Sequence, residues 1–151
     1  MFDRPDFLAG LTILVVDDVA FSLNLVAGML REMGAEDVIT ANGGVDALKV
    51  LQSDQGRGID LVVLDLNMPG VDGMTILSMI REGRTETARS VAVAILSGSS
   101  EETLVRAAFG LGIDAYVTKP VSKTVLGARL ARAAAHRHEN RASTRLQVRA
   151  S

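Results

Sequence analysis

The sequence contains no cysteine and no tryptophan, and aromatic residues make up only 3% of its 151 residues. Without cysteine, the chain can form neither a disulfide framework nor a thiolate metal site. The only two histidines, His136 and His138, lie together near the C-terminus, which makes a multi-histidine zinc centre equally unexpected. The core must therefore come from aliphatic side chains and methionine, and a hydrophobic content of 48% suffices for one domain.

Long apolar runs are also missing. The longest uninterrupted one, Val91–Leu96, is far shorter than the roughly 20 residues that a membrane-spanning helix needs. The first ten residues, MFDRPDFLAG, contain acids and a proline where a signal peptide has a basic start and an apolar stretch. We therefore expect a cytoplasmic, single-domain protein with no membrane span.

Charge is distributed unevenly along the chain. Residues 1–121 hold 9 Lys/Arg and 17 Asp/Glu, a net charge of −8, whereas residues 122–151 hold 7 Lys/Arg and one acid, a net charge of +6. The body of the chain is therefore acidic and its C-terminal part basic. We expect a lead-in at 1–10, one folded domain at 11–139 and a basic tail at 140–151, which is either disordered or an extension of the last helix.

Four arginines recur at four-residue spacing at the end of the chain: Arg137, Arg141, Arg145 and Arg149. On a helix they would form a slowly drifting stripe. The favoured interpretation is a solvated, frayed tail. The alternatives are docking to an acidic partner, weak nucleic-acid contact or a linker to a further domain. Sequence-specific DNA binding is not expected, because the tail has neither aromatics nor a recognition motif.

Short apolar segments alternate with amphipathic ones. The sequence predicts strands at 11–16, 37–41, 61–64, 91–96 and 115–117, and helices at 20–33, 44–53, 74–82, 101–109 and from about Ser122, a candidate N-cap. Residues 54–58 are predicted to be a loop. Strands that are apolar along their whole length indicate a parallel sheet covered by helices on both faces, an α/β doubly wound fold.

Helical spacing also predicts which residues are buried. The first helix should bury Leu23, Val26, Ala27 and Leu30, and the second should bury Val45, Leu48 and Leu51.

Polar side chains stand at the carboxyl ends of four of the five predicted strands, where parallel sheets bind ligands. They are Asp17-Asp18, Asp65, Ser97 and the segment Thr118-Lys119-Pro120. Alone, an acidic pair is often a helix cap and a Lys-Pro pair often only a turn. Together, three carboxylates call for a cation, and all-oxygen ligation suits Mg²⁺. With a lysine and a hydroxyl beside them, the simplest reaction is phosphoryl transfer to a carboxylate, for which Asp65 is the natural acceptor.

Four segments carry a resemblance to a known family: ILVVDD (13–18), LVVLDLNMPGVDG (61–73), VAILSGSS (93–100) and DAYVTKP (114–120). They resemble the receiver domain of two-component response regulators, of the single-domain, chemotaxis-regulator type. The resemblance implies a flavodoxin-like fold of five strands in the order 2-1-3-4-5 with five helices.

The resemblance also implies roles for the acidic residues. Asp65 would accept a phosphoryl group from a phosphohistidine on a sensor histidine kinase or a histidine phosphotransfer protein. Asp65 and Asp18 would bind Mg²⁺ directly, Asp17 largely through water, and Asn67 through its backbone carbonyl. The modified protein would then act on a downstream protein target or relay the phosphoryl group onward.

Further implied roles concern the remaining strand ends. Lys119 would pair with one phosphoryl oxygen and Ser97 with another, and the Lys119–Pro120 bond would be cis. Tyr116 would be the switch aromatic, turning inward as Ser97 moves, and the fourth helix, fifth strand and fifth helix would form the face that partners read. For Tyr116 the simpler interpretation is a half-buried strand residue with a solvated hydroxyl.

Small neighbours of the acceptor affect the lifetime of the phosphoryl group. Asn67, Gly98 and Ser99 are small or polar, so none should shield it from water, and we expect a lifetime of minutes rather than hours. The chain departs from the family pattern at Val71, where methionine is usual, and near Ser22, where an arginine is frequent. The second departure leaves the kinase-docking face undetermined.

Three other functions fit part of the pattern. The chain could be the N-terminal receiver of a larger regulator with an output domain. An aspartate-nucleophile phosphohydrolase would use a similar site, but it needs an acid two residues after the nucleophile, where this chain has Asn67. A phosphate-independent scaffold would not need the complete polar set. We expect a monomer or a weak homodimer; the cognate kinase, the target and the regulated process are not encoded in any recognisable motif.

Overall fold

The computed structural model describes residues 6–150, and it describes side chains for residues 6–137. Five parallel strands form one sheet in the order β2-β1-β3-β4-β5. They are β1 (Thr12–Val16), β2 (Asp37–Ala41), β3 (Leu61–Leu64), β4 (Ala92–Ser97) and β5 (Ala115–Thr118). The helices are α1 (Ala20–Glu32), α2 (Gly44–Leu51), α3 (Gly73–Arg81), α4 (Glu102–Gly110) and α5 (Lys123–Ala150). The predicted flavodoxin-like fold is confirmed, with most element boundaries within two residues of the predicted ones.

The central strands are buried on both faces because their side chains alternate between two cores. Val62 and Leu64 of β3 pack among residues of α2, α3 and α4. Leu61 and Val63 pack on the opposite face with residues of α1 and α5. Since successive strand residues point to opposite faces, two covered faces require the uninterrupted apolar runs seen in the sequence.

Helix α1 follows the predicted pattern, since Leu23, Val26, Ala27 and Leu30 are its buried residues. In α2 the prediction fails at Val45, which is 59% exposed. The helix instead turns Gly44, Ala47 and Leu51 inward. The reason is a close contact that periodicity does not reveal: a Cβ on Gly44 would lie 2.0 Å from the carbonyl oxygen of Val71.

The segment predicted as a loop at 54–58 forms a short 3-10 helix, Asp54–Gly58. Its buried Gly56 carbonyl accepts a hydrogen bond from the Thr87 hydroxyl at 2.8 Å. A Cβ on Gly56 would lie 2.6 Å from the Leu51 carbonyl oxygen, so only glycine fits against the end of α2. A glycine-rich sequence of this kind is compatible with a loop and with a tight helical turn, and the packing decides between them.

Helix α5 begins as predicted, because the Ser122 hydroxyl accepts a hydrogen bond from the Val125 N–H at 3.2 Å. Its backbone continues to Ala150, so the segment from 140 extends the helix. Arg137 does not join an outward stripe: its guanidinium contacts the Asp114 carboxylate and the Gly112 carbonyl. The predictions for Arg141, Arg145 and Arg149 concern side chains outside the described residues.

The predicted lead-in lies outside the described residues at 1–5, and its remainder packs on the domain. Leu8 is fully buried among residues of α1 and α5, and its N–H donates to the Met33 carbonyl at 3.2 Å. The boundary at residue 11 stays a prediction. Among the described residues, no helix combines the length and apolar character needed to span a membrane.

Candidate functional site

Strand register brings the predicted acids together at the carboxyl edge of the sheet. Val16 of β1 is paired with Leu64 of β3, so the residues that follow them, Asp17 and Asp65, leave the sheet side by side. The Asp65 N–H donates to the Val16 carbonyl at 3.0 Å, which fixes the two strand ends to each other. Carboxylate oxygens of Asp17, Asp18 and Asp65 all lie within 4.8 Å of one another.

The three carboxylates differ in exposure. Asp17 and Asp65 are buried, with 3% and 8% of their surface exposed, whereas Asp18 is exposed. Such a group is electrostatically unfavourable unless cations neutralise it, because like charges at this separation repel strongly.

The ammonium group of Lys119 provides a positive charge beside these carboxylates. Its Nζ donates to Asp17 Oδ2 at 2.8 Å, to Asp65 Oδ2 at 3.3 Å and to the hydroxyl of Ser22 at 2.9 Å. The residue follows β5, and its N–H donates to the Ser97 carbonyl at 2.8 Å. The Lys119–Pro120 bond is cis, as predicted.

The ion pair shifts the pKa of both partners. Burial alone would raise the pKa of Asp17, but hydrogen bonds from Lys119, Ser22 and the Val19 N–H outweigh it and hold that pKa below its usual value. Burial would lower the pKa of Lys119, but its hydrogen bond to Asp17 and the charge of Asp65 keep it above its usual value. Both groups therefore remain charged at neutral pH.

The loop after Asp65 is held in place by the Asp65 side chain and by the close approach of Gly73. Asp65 Oδ1 accepts a hydrogen bond from the Asn67 N–H at 3.1 Å. Asp72 then caps α3 by accepting from the Thr75 N–H at 2.9 Å, and Gly73 opens that helix directly beside the Asp65 backbone. These contacts leave Asn67 exposed at the edge of the site.

Ser97 and Tyr116 are linked through the loop that follows β4. Ser97 is fully buried, and its Oγ accepts a hydrogen bond from the Ser99 N–H at 3.3 Å. The Tyr116 hydroxyl donates to the Ser99 carbonyl at 2.7 Å, while its ring packs against the core beside α4. Tyr116 is thus a half-buried residue of β5, as the simpler interpretation expects, and its hydroxyl has a protein partner.

The structure thus brings Asp17, Asp18, Asp65 and Lys119 into one cluster, with Asn67 beside it. Among the described residues, no hydrogen bond joins the Ser97 hydroxyl to that cluster; the link is the backbone bond from the Lys119 N–H to the Ser97 carbonyl. The residue that the sequence missed is Ser22, which appeared only as a departure from a family pattern. Its bond to Lys119 spans 97 positions of sequence, and no local pattern signals a contact of that kind.

The donor set suits a hard divalent cation. Three carboxylates converge, and oxygen ligands of this kind are those that Mg²⁺ prefers. The chain has no cysteine, and among the side chains that the structure describes no histidine belongs to this group of ligands. The residues present therefore fit Mg²⁺.

Comparison with known proteins is consistent with this site. The family model for the response regulator receiver domain matches residues 13–131. The chemotaxis protein CheY of Treponema pallidum (strain Nichols) is 34% identical over 119 residues, which cover 79% of each chain.

Two solved structures share the fold. A response regulator receiver domain protein from Clostridium thermocellum superposes with a TM-score of 0.75 at 28% identity, covering 85% of this chain and 97% of the other. The CheY of Borrelia burgdorferi, solved in a CheX-CheY-BeF3-Mg²⁺ complex, superposes with a TM-score of 0.73 at 26% identity, covering 84% and 95%.

Proposed function

The chain belongs to the response regulator receiver family of two-component signalling, and from this we propose that it is a phosphorylation-activated switch with Asp65 as phosphoacceptor. The observation that supports this most directly is the position of Lys119. Its ammonium bridges Asp17 and Asp65, so one cation already touches both the proposed acceptor and a neighbouring carboxylate.

The proposed reaction transfers a phosphoryl group from a phosphohistidine. An Asp65 oxygen attacks phosphorus, a P–O bond forms, the P–N bond breaks, and the nitrogen lone pair returns to the imidazole. Mg²⁺, held by Asp17, Asp18, Asp65 and the Asn67 carbonyl, would neutralise the charge that develops on the phosphoryl oxygens. Lys119 would pair with one of these oxygens, and its raised pKa keeps it cationic for that role.

A phosphohydrolase is disfavoured by the same geometry. Asn67 cannot protonate a leaving group, and its N–H is bonded to the acceptor carboxylate. We therefore propose that the protein catalyses only its own phosphorylation and dephosphorylation. Asn67, Gly98 and Ser99 leave the acyl phosphate accessible to water, so its lifetime should be minutes rather than hours.

The switch would run from Ser97 to Tyr116. A phosphoryl group adds roughly −1.5 to −2 charge and three acceptor oxygens, which would draw the Ser97 hydroxyl toward Asp65. The Ser97 Oγ would then exchange its bond to the Ser99 N–H for one to a phosphoryl oxygen. Since Tyr116 is bonded to the Ser99 carbonyl, movement of this loop changes the position of the tyrosine.

The proposed readout face has a distinct chemistry. Between α4, β5 and α5 lies a groove lined by Tyr116 and the half-exposed Phe109, with Arg129, Arg132 and His136 along one side. Arg129 and Arg132 form no ion pair with any described side chain. In an otherwise acidic domain, this groove favours a target segment that carries acids and one apolar anchor.

Charge reversal tests this readout chemistry. A glutamate-rich peptide with one leucine should bind the BeF3⁻/Mg²⁺-loaded protein more tightly than the free protein by fluorescence anisotropy. The Arg129→Glu/Arg132→Glu variant should lose that binding but still accept phosphate. Equal peptide binding by the reversed variant would exclude the groove as the docking site.

Exposed apolar side chains of α1 lie beside Lys119. Phe21 is 79% exposed and Leu25 50%, and both line a groove that also contains Lys119. Exposed apolar residues grouped beside a polar site mark a protein-binding surface. We infer that the phosphohistidine protein docks on this face, which brings its imidazole to the edge of the acid cluster.

Intact mass spectrometry tests the acceptor assignment. Incubation with phosphoramidate and Mg²⁺ should add the mass of a single phosphoryl group, and Asp65→Asn should abolish the addition. Asp46→Asn, an exposed acid-to-amide change on α2, is the matched control and should be phosphorylated normally. A phosphoryl group retained by Asp65→Asn would contradict the proposal, and no addition to the unchanged protein would favour a scaffold.

Kinetics with two donors test the docking face. Phe21→Ala and Leu25→Ser should slow transfer from a phosphohistidine protein by about tenfold or more, because buried apolar anchors dominate interface energy. Phosphorylation by phosphoramidate should be unchanged, since that donor needs no surface. Val125→Ser, a similarly exposed apolar position on α5, is the control. Equal slowing with both donors would mean that the substitutions damage the site itself.

A further inference from the structure

Ser22 stands inside the acid cluster, although the proposed function gives it no role. It belongs to the first turn of α1, and its Oγ accepts a hydrogen bond from Lys119 Nζ at 2.9 Å. The same hydroxyl helps to lower the pKa of the Asp17 carboxyl group. A serine hydroxyl has one proton and two lone pairs, so it can accept from Lys119 and still donate to another group. The ammonium of Lys119 therefore joins Ser22 and Asp17, and we refer to these three residues as the triangle.

The triangle holds the Lys119 ammonium closer to Asp17 than to Asp65, the proposed phosphoacceptor. An ammonium has three protons, and those of Lys119 are directed to Asp17, Ser22 and Asp65. The bonds to Asp17 and Ser22 measure 2.8 and 2.9 Å, whereas the contact with Asp65 measures 3.3 Å. Two of the three partners thus hold Lys119 on the α1 side of the cluster.

This arrangement competes with the proposed function. The Asp17 Oδ2 atom is less available to Mg²⁺ or its bound water while it accepts a hydrogen bond from Lys119. Lys119 must also move toward Asp65 to pair with a phosphoryl oxygen. Ser22 bonds the lysine of the pair that must separate. Removing its hydroxyl deletes that hydrogen bond and loosens Lys119 on the α1 side without altering any metal ligand.

We propose that Ser22 is a positioning residue that holds Lys119 on Asp17 in the metal-free, unphosphorylated protein, and so limits how readily Mg²⁺ and the phosphoryl group displace it. The inference rests on the proposed function, because it presumes that Mg²⁺ binds among the carboxylates. It predicts that the chain lacking this hydroxyl is loaded more easily.

The first test needs no metal. In the metal-free protein, the Lys119 ammonium protons, assigned with Lys119→Arg and observed by ¹⁵N NMR, should exchange slowly with water. Ser22→Ala should speed that exchange several-fold. Ser22→Thr retains a hydroxyl and should restore it. Ser78→Ala, which removes a hydroxyl from α3 with no side-chain hydrogen bond among the described residues, should leave it unchanged.

The second test is calorimetric titration of the same four proteins with MgCl₂. Ser22→Ala should bind Mg²⁺ about three- to tenfold more tightly, the effect of losing one hydrogen bond that stabilises the competing pair. Ser22→Thr and Ser78→Ala should match the unchanged protein.

The outcomes separate the inference from the proposed function. Unchanged ammonium exchange in Ser22→Ala overturns the inference, as does faster exchange with equal or weaker Mg²⁺ binding. If the unchanged protein binds no Mg²⁺, the proposed function fails first and the inference with it.

Discussion

At the scale of single residues, glycine 73 is required by the path of the loop that carries Asp65. A Cβ there would lie 2.4 Å from the Asp65 carbonyl oxygen and 3.0 Å from the Leu66 Cα. Both are backbone atoms, so no side-chain rotation can relieve the overlap. Gly73 therefore allows α3 to begin against the residue that the proposed reaction uses.

Gly73→Ala should displace this loop and lower stability by about 1–3 kcal/mol, the usual cost of overpacking, as measured by urea unfolding. Phosphorylation by phosphoramidate should slow as well, because the Asp65 carboxylate moves with its backbone. Gly28→Ala on α1 is the control: a Cβ there meets nothing within 4 Å, so stability should stay constant or rise by up to about 1 kcal/mol. Equal effects of the two substitutions would show that close contact at Gly73 is not the cause.

At the scale of elements, Asp114 joins α5 to the edge of the sheet that lies opposite the three carboxylates. This carboxylate is 1% exposed and accepts the Val93 N–H at 2.9 Å. Arg81 of α3 and Arg137 of α5 both contact it, and both also donate to the Gly112 carbonyl. One buried acid thus connects two helices and two strands.

Asp114→Ala should destabilise the protein by about 3 kcal/mol or more, because it removes the carboxylate that two largely buried guanidinium groups contact and the acceptor of the Val93 N–H. Chemical denaturation measures the loss. Asp54→Ala, whose carboxylate is 94% exposed beside Arg57, should change stability by less than about 0.5 kcal/mol. A loss similar to that of Asp54→Ala would mean that the network adds little to the attachment of α5.

The same contacts show which elements the sequence predicts and which it does not. Strands and the face of α1 were predictable because their signal is local: the strands are continuous apolar runs, and the helix face is apolar at a fixed period. Val45 was placed wrongly because the contact between Gly44 and the Val71 backbone joins distant segments. Arg137 was misread because its partner, Asp114, lies 23 positions away, outside any periodicity of α5.

The candidate site follows the same rule. The acids were predictable because parallel strands deliver their carboxyl ends to one edge, so position along each strand suffices. The triangle of Lys119, Ser22 and Asp17 was not predictable from the sequence. The distances from the Lys119 ammonium to its partners depend on where α1 lies above the sheet. Side-chain geometry of this kind is a property of packing and leaves no trace in residue spacing.

At the scale of the whole molecule, cation binding among the three carboxylates is coupled to folding. Folding brings oxygens of three carboxylates within 4.8 Å of one another. Of these three carboxylates, Lys119 pairs with those of Asp17 and Asp65. Asp18 forms no hydrogen bond or ion pair with another described residue. The unfolded chain separates these charges, so a cation that binds the cluster favours the folded state by linkage.

Mg²⁺ should therefore raise the stability of the entire domain. At 100 times its dissociation constant the gain is about 2.7 kcal/mol, which for a chain of this size corresponds to a rise in Tm of roughly 5–10 °C. Differential scanning calorimetry with MgCl₂, and again after adding EDTA, measures it, with NaCl at equal ionic strength as the control for screening. Asp18→Asn should raise the Tm of the metal-free protein by relieving repulsion and should lose most of the Mg²⁺ effect, whereas Asp46→Asn should keep it. A rise in Tm that survives in Asp18→Asn would place the cation outside the cluster. Screening alone cannot explain a difference between Asp18→Asn and Asp46→Asn, because each substitution removes one exposed acid.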